Sequence, residues 1–315
     1  MLKDAFTPLP WFKALADETR LRLLRILSRH ELSVGEIVAV LGMGQSRVSR
    51  HLGILVGCGL LASRREGAWT FYSVPGEGEA ARFREALAPW LEQAGPEADL
   101  TAVDAVLRER RLETRRFFNA IAPDWAALRR EVLGEVDPGG LVREVMPEGV
   151  ARAADLGCGP GDLLPVLAER SASVIGVDSS RSMLDLAARR AAGAPVDLRM
   201  GELEHLPMAD GEVDFIVICL TLHHLPDPAA ALAEARRVLA PGGRLVVIDF
   251  LPHADEAMRR RFGDRWLGFS REKLTQWLDQ AGLTAANWSE HPVNKGLATA
   301  RLVAIPRERT QGDCL

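Results

Sequence analysis

The stretch Ala154-Asp155-Leu156-Gly157-Cys158-Gly159-Pro160-Gly161 follows an apolar, strand-like run at about 150–156 and precedes a helical pattern that starts near Asp162. Glycine is needed here because the backbone must turn tightly and approach a ligand at van der Waals distance. Asp178 lies 21 residues beyond Gly157, at the end of the next strand-like run at about 173–178. An acidic side chain at that point can accept hydrogen bonds from both hydroxyls of a ribose. A dinucleotide enzyme has the same spacing, so these residues by themselves do not choose the cofactor.

Further strand-like runs follow at about 196–200, 213–219 and 244–250, with helical patterns between them. Alternation of this kind predicts βαβ units, a parallel sheet and an α/β doubly wound, Rossmann-like domain over 150–306. Upstream, residues 99–135 read as helical, and the run Arg108–Arg116 is the solvated, salt-bridged face of a helix rather than a DNA contact. Segment 96–149 is taken as a helical linker and cofactor lid, and 307–315 as a tail.

Residues 1–95 have a different texture. Helices are expected at about 10–17, 19–29, 34–41 and 45–56. The third opens on Ser33-Val34-Gly35-Glu36, in which serine and glutamate can cap each other's backbone. Gly42-Met43-Gly44 breaks the chain before the fourth, which is a helix-turn-helix layout. The runs 60–65 and 69–74, separated by Glu66-Gly67-Ala68, read as a hairpin wing, and a helix at about 77–93 closes the unit. On the fourth helix Gln45, Ser46, Arg47, Ser49 and Arg50 fall on the exposed side, as groups that suit base edges and phosphates. Arg64 and Arg65 of the hairpin can reach flanking phosphates, while His51 is expected to pack or cap.

Bulk properties limit the alternatives. The chain has 315 residues, 26% of them charged, which fits a multidomain globular protein. No run of 18 apolar residues is present, so no membrane span is expected, and Met1–Pro10 lacks a secretory layout. Cys58, Cys158, Cys219 and Cys314 form no CxxC or zinc spacing, which points to a reduced cytoplasm and no structural metal. The net charge is −4, yet Arg20–Tyr72 carries eight basic against three acidic residues. A basic front on an acidic body can be steered onto DNA.

Over about residues 8–93, Phe12-Lys-Ala-Leu-Ala-Asp-Glu-Thr-Arg-Leu-Arg-Leu-Leu24, Glu31-Leu-Ser-Val-Gly-Glu-Ile37, Gln45-Ser-Arg-Val-Ser-Arg-His-Leu52 and Arg64-Arg-Glu-Gly67 resemble ArsR-type winged-helix repressors. The resemblance implies a homodimer paired through the first and last helices of the unit, and a two-fold double-stranded operator. Metal-sensing members carry Cys-x-Cys where this chain has Ser33 and Gly35, groups that cannot hold a soft metal. No metal sensor is expected.

The back resembles class I S-adenosylmethionine (SAM)-dependent methyltransferases over about residues 115–306. The motifs, in order, are Asp155–Gly161, Val177-Asp-Ser-Ser-Arg-Ser-Met-Leu184, Gly201-Glu-Leu-Glu-His-Leu-Pro207, Val213-Asp-Phe215, Leu222-His-His-Leu-Pro-Asp227 and Arg237-Val-Leu-Ala-Pro-Gly-Gly243. By that resemblance Gly157 and Gly159 line the methionine portion, with Asp155 beside its amino group. Asp178 holds the ribose, Met183 packs on adenine and Glu202 stands where the adenine amino group is met, with Ser179 and Leu203 also counted among the cofactor-binding residues. Backbone near Leu220 faces the ammonium. The lead-in Phe117–Trp125 resembles the helix folded over the cofactor, and Trp125 packs either near the methionine end or in the core.

Two functions remain. The first is a dimeric transcriptional regulator whose methyltransferase-like domain binds SAM or S-adenosylhomocysteine (SAH) as effector; the fusion resembles SAH-responsive regulators of the methionine and SAM cycle. The second is an active methyltransferase of a small molecule with an autoregulatory DNA-binding domain. His223 and His224, with His253, are the candidates for a base, although a structural role competes. The cysteine set for arsenite methylation is missing, as is the Asn/Asp-Pro-Pro-aromatic or Pro-Cys motif of DNA methylation.

Overall fold

The computed structural model describes residues 8–66 and 69–307. The turn of the wing at 67–68, the chain start up to residue 7 and the tail from 308, with Cys314, lie outside the described residues. The chain divides into two compact units, Met1–Arg110 and Arg111–Leu315.

The first unit holds α1 (Leu9–Leu15), α2 (Glu18–Leu27), β1 (Leu32–Ser33), α3 (Val34–Leu41), α4 (Gln45–Gly57), β2 (Ala62–Glu66), β3 (Trp69–Ser73), α5 (Glu79–Leu91) and the first part of α6 (Glu97–Ile121). Leu23, Leu24 and Leu27 of α2, Ile37 of α3 and Val48, Leu52 and Leu55 of α4 meet in one core. The Ser33–Glu36 spacing produces a complete capping box, in which Glu36 Oε2 accepts from Ser33 N at 2.8 Å. Gly42 ends α3 at φ +62°, a conformation glycine adopts without a Cβ clash. The hairpin β2–β3 pairs Arg64 with Phe71, and β1 pairs with the far side of β3. At two residues, β1 is too short to show a period in sequence.

The boundary between the units falls within α6 and not at Gly95-Pro96. Val103 and Leu107 enter the core of the first unit. Asp99 accepts twice from Arg22 at 2.7 Å, and buried Arg110 pairs with Glu36. These contacts hold the start of α6 in that unit.

The second unit continues with α7 (Trp125–Leu133), α8 (Pro138–Arg143), β4 (Val150–Leu156), α9 (Leu164–Ala168), β5 (Ser171–Asp178), α10 (Arg181–Arg190), β6 (Val196–Met200), β7 (Val213–Cys219), α11 (Pro228–Val238), β8 (Leu239–Phe250), α12 (Ala257–Phe262), α13 (Arg271–Gln280), β9 (Leu283–Pro292) and β10 (Ala298–Pro306). Its seven strands run in the order β6-β5-β4-β7-β8-β10-β9. The first five pair in parallel, and β10 is antiparallel to both β8 and β9. Alternate residues of the central strands feed two cores. Ala154, Leu156, Ile216 and Ile218 face one layer, while Ala153, Phe215 and Val217 face the other. The edge pair β9–β10 was not expected from the βαβ reading; much of β9 is exposed and polar, so its signal is weak. A 3-10 turn at Ala122–Asp124 also interrupts the helical reading of 99–135. No helix among the described residues is long and apolar enough to cross a membrane.

Burial pushes the Glu36 carboxyl up, and the hydrogen bond and charge of Arg110 outweigh it, leaving it below the usual carboxylate range. Losing one partner of such a pair costs on the order of 3 kcal/mol. Arg110→Met is therefore expected to speed amide exchange across Val34–Leu41 by about tenfold or more and to leave β4 and β5 unchanged, as read by hydrogen–deuterium exchange.

Candidate functional sites: a cofactor cleft and a DNA-reading helix

In the second unit, strand order reverses beside β4, so the crevice at the carboxyl ends of β4, β5 and β7 is the place where a parallel sheet of this kind receives a ligand. A cleft of about 820 Å³ opens there. Trp125, Asp155, Gly157, Gly159, Asp178, Ser179, Met183, Glu202, Leu203 and Leu220 all line it, and so does His224.

The glycines make the cradle. Gly157 lies at φ +79°, and a Cβ there would sit 2.3 Å from the Thr221 side chain. Gly161 at φ +82° would meet Ala187 Cα at 3.0 Å, which keeps the loop against α10. Asp162 anchors the loop from outside by pairing with both Arg129 and Arg190. Asp178 is held in place by two backbone donors, Gly159 N to Oδ2 and Ser180 N to Oδ1, both at 2.8 Å. Each carboxylate oxygen keeps lone-pair capacity for a hydroxyl donor. Leu220 is in the left-handed region at φ +52° and donates its N–H to Ile248 O at 2.7 Å. What it can offer a ligand is its carbonyl.

Glu202 pairs with Arg115 of α6, so the carboxylate expected near adenine already has a guanidinium partner. Met183 is buried at the start of α10, capped by Ser180, whose hydroxyl donates to Asn119 Oδ1 at 2.7 Å. Trp125 Nε1 lies 4.0 Å from the Cβ position of Gly159, which places this ring in the cleft wall. Asn119, Phe118, Arg129 and Thr221 were not singled out from sequence. Asn119 and Phe118 do fall in the lead-in segment, and Arg129 is one helical turn beyond Trp125.

Two buried acids give the cleft its electrostatics. Burial pushes Asp155 up to about 7, against the pull of Arg129 and with the help of the neighbouring Asp178 charge. Burial likewise pushes Asp178 up to about 6, while the Ser180 and Gly159 N–H groups pull it down. A site with two such carboxylates favours a cationic ligand, and SAM carries an ammonium and a sulfonium. The residues present therefore fit that group. Burial pushes the Cys219 thiol to about 12 and the Cys158 thiol well above its ordinary value, which disfavours the thiolate at both.

Next to the cleft is a second, apolar recess, which shares Trp125, Arg129, Leu220 and His224 with it. Val132, Leu133, Phe250, Met258 and Phe262 form its walls. At its polar end His223 Nδ1 meets Asp249 Oδ1 at 2.6 Å, and His224 Nδ1 meets Gly263 O at 3.2 Å. His223, His224 and Asp264 bring one ligand-type atom each within 4.8 Å of one another, the grouping among the described residues with the donors for a metal ion. His253 stands apart: it is half-buried, burial pushes it below its ordinary value, and Nδ1 accepts from Asp255 N at 3.3 Å.

In the first unit Gln45, Ser46, Arg47, Ser49 and Arg50 are exposed around buried Val48 on α4. Arg65 is exposed on the wing. Arg64 is instead half-buried, paired with Glu31 at 3.0 Å and stacked on Phe71 at 5.0 Å, so its guanidinium has an internal role. His51 Nδ1 lies 3.5 Å from Asp17 Oδ1, at the cap of α2.

Two outcomes follow for the acids. Their folded values lie above the ordinary 3.8, so the stabilisation from protonation is complete only below that value and is lost as pH rises through about 6 and 7. The thermal midpoint of ligand-free protein should fall over that window, and Asp155→Asn should flatten the fall. SAM affinity should rise over the same window, since a cation prefers ionised carboxylates. Gly157→Val, which must displace Thr221, should weaken SAH binding at least tenfold by calorimetry.

A family model described as a bacterial regulatory protein of the arsR family matches residues 17–63, and one described as a methyltransferase domain matches residues 154–247. An uncharacterised 37.1 kDa protein in transposon TN4556 of Streptomyces fradiae is 50% identical over 99 residues, 30% of this chain and 29% of that protein. A demethylmenaquinone methyltransferase of Thermus thermophilus is 37% identical over 142 residues, 43% of this chain and 64% of that enzyme. The chain thus spans less than two-thirds of the length of either relative. Among solved structures, a chain of the complex between the Haloferax volcanii Trm112 methyltransferase activator and a methyltransferase matches with a TM-score of 0.52 at 19% identity, over 61% of this chain and 98% of that one, which is a likeness of fold. The chain therefore joins an arsR-family helix-turn-helix domain to a class I methyltransferase domain of the SAM-dependent fold.

Proposed function

We propose that this chain is a dimeric operator-binding regulator whose methyltransferase domain binds SAM or SAH and so tunes its hold on DNA. The observation that carries the reading is α6. Its first part packs into the core of the first unit through Val103 and Leu107, and its last part supplies Thr114 and Phe118 to the cofactor cleft of the second. A ligand that prefers one setting of this helix biases both units, and a coupling of roughly 1–3 kcal/mol changes affinity by about 5- to 150-fold. Exposed Phe12 and Trp90, on α1 and α5, supply apolar surface for pairing two copies. In this reading Arg47 and Arg50 contact bases or phosphates.

Operator binding is measured at one fixed salt concentration with no ligand, with SAM and with SAH. A shift of about fivefold or more with either ligand is expected, and Arg50→Ala should weaken binding in all three states by about 1–3 kcal/mol. Affinity indifferent to both ligands, when calorimetry shows both bound, rejects the effector role.

The apolar recess beside the cleft favours a second reading, that the same domain transfers methyl groups. The Thermus relative is named for a demethylmenaquinone reaction, which makes a ring-bearing acceptor a reasonable class to test.

A further inference from the structure

Asp264, which follows α12, is buried, and neither of its carboxylate oxygens has a hydrogen-bond partner among the described residues. A carboxylate removed from water and given no donor is costly, and it points to a partner of positive charge. Arg259 of α12 attracts it through space but gives neither oxygen a hydrogen bond. Two imidazole nitrogens face it instead. His223 Nε2 lies 3.6 Å from Asp264 Oδ1, and His224 Nδ1 lies 3.9 Å from the same oxygen. Both separations are too long for a hydrogen bond. They are close to the roughly 3.4 Å between two donors on a tetrahedral ion whose bonds are about 2.0–2.1 Å long.

His223 is also oriented as a ligand would be. Its Nδ1 donates to Asp249 Oδ1 at 2.6 Å, and the same oxygen accepts from Phe250 N at 2.8 Å. A carboxylate behind a histidine fixes the tautomer and the ring plane, and leaves Nε2 as the donor to a metal. His224 Nδ1 makes a 3.2 Å bond to Gly263 O, which a metal bond can replace with the ring proton left on Nε2. Each of His223, His224 and Asp264 is buried and offers a donor atom within 4.8 Å of the other two.

We propose that His223, His224 and Asp264 bind one late first-row divalent cation of the Zn²⁺ type, with Asp249 holding His223 in position. Two imidazoles and one carboxylate suit such an ion. Mg²⁺ and Ca²⁺ take shells made mostly of oxygen, which this group does not supply. Soft ions prefer thiolates, and no cysteine belongs to the group. The missing zinc spacing among the cysteines does not bear on a donor set of histidine and aspartate.

The ion has a structural task in this position. It balances the buried charge of Asp264 and ties the chain between α12 and α13 to the turn that follows β7. Two backbone bonds already join these segments, from Arg265 N and Trp266 N to His223 O, both at 2.9 Å. The bond from Asp264 N to Met258 O is long, at 3.5 Å, so Asp264 itself is weakly held until its side chain is engaged. A proton on His223 Nε2 gives way to the ion, as it does on any imidazole that becomes a ligand. With three protein donors, a fourth position of the tetrahedron is left to water.

The test uses the full chain without an affinity tag, stripped with EDTA and titrated with Zn²⁺ by calorimetry. One Zn²⁺ per chain is expected, with a Kd of about 1 µM or tighter, and a millimolar excess of Mg²⁺ should leave it in place. Asp264→Asn and His223→Gln should each weaken Zn²⁺ binding at least hundredfold, and Asp249→Asn by about 10- to 100-fold. A cooperative thermal transition in each variant verifies folding. X-ray absorption at the zinc edge, which needs no variant, should show two imidazoles, oxygen ligands and no sulfur. Zn²⁺ should also slow amide exchange at Asp264–Trp266 at least tenfold and leave β6 unchanged. No binding at micromolar Zn²⁺, a sulfur ligand at the zinc edge, or binding indifferent to Asp264→Asn in a folded variant overturns the assignment.

Discussion

Everything at the cofactor cleft depends on β4 being buried on both faces. Ala153 and Ala154 point into opposite cores, and Leu156 is fully enclosed. A strand in that position cannot continue into solvent as a strand, so the chain must turn at its carboxyl end within a few residues. The turn takes place at glycines because the Thr221 side chain and the α10 backbone occupy the space a Cβ would need. The same enclosure removes water from Asp155 and Asp178, which raises both and makes the cleft responsive to a cation. Loop geometry and electrostatics therefore have one origin.

The two histidines after β7 show how identical residues in sequence receive different chemistry from their neighbours. His223 meets a carboxylate and is held above its ordinary value; His224, although its Nδ1 meets a carbonyl, is held well below its own by burial and by the charge of His223. The polar partners of the pair come from the end of β8 and from after α12, 26 and 39 residues further along the chain, so no local pattern at 222–227 could have revealed them.

Shared use of α6 has a comparable status. A run of 25 helical residues reads from sequence as a linker, since its charged face masks the spacing of Val103 and Leu107. Packing of those residues into the first unit, and of Thr114 and Phe118 into the cleft wall of the second, makes the helix a structural member of both. Arg64 is a related case: a basic residue on a wing has the composition of a phosphate contact, yet Glu31 and Phe71 engage it.

What the amino-acid order determined by itself was local: the capping box at Ser33 and Glu36, the glycine break at 42–44, the exposed set around Val48, and the glycine loop with an acid one strand later. Each of these depends on a short-range period or on backbone conformations that only certain residues adopt. The ten residues expected at the cofactor all line one cleft because their motifs sit at strand ends, and a parallel sheet gathers its strand ends at one edge. Tertiary structure alone decided the rest. The seating of β10 against β8, the division of α6, the partners of Glu202 and Arg64, and the recess beside the histidines all arise from contacts between residues tens of positions or more apart. Such contacts leave no period in the sequence, because each side chain's neighbours there are chosen by packing and charge and not by its distance along the chain.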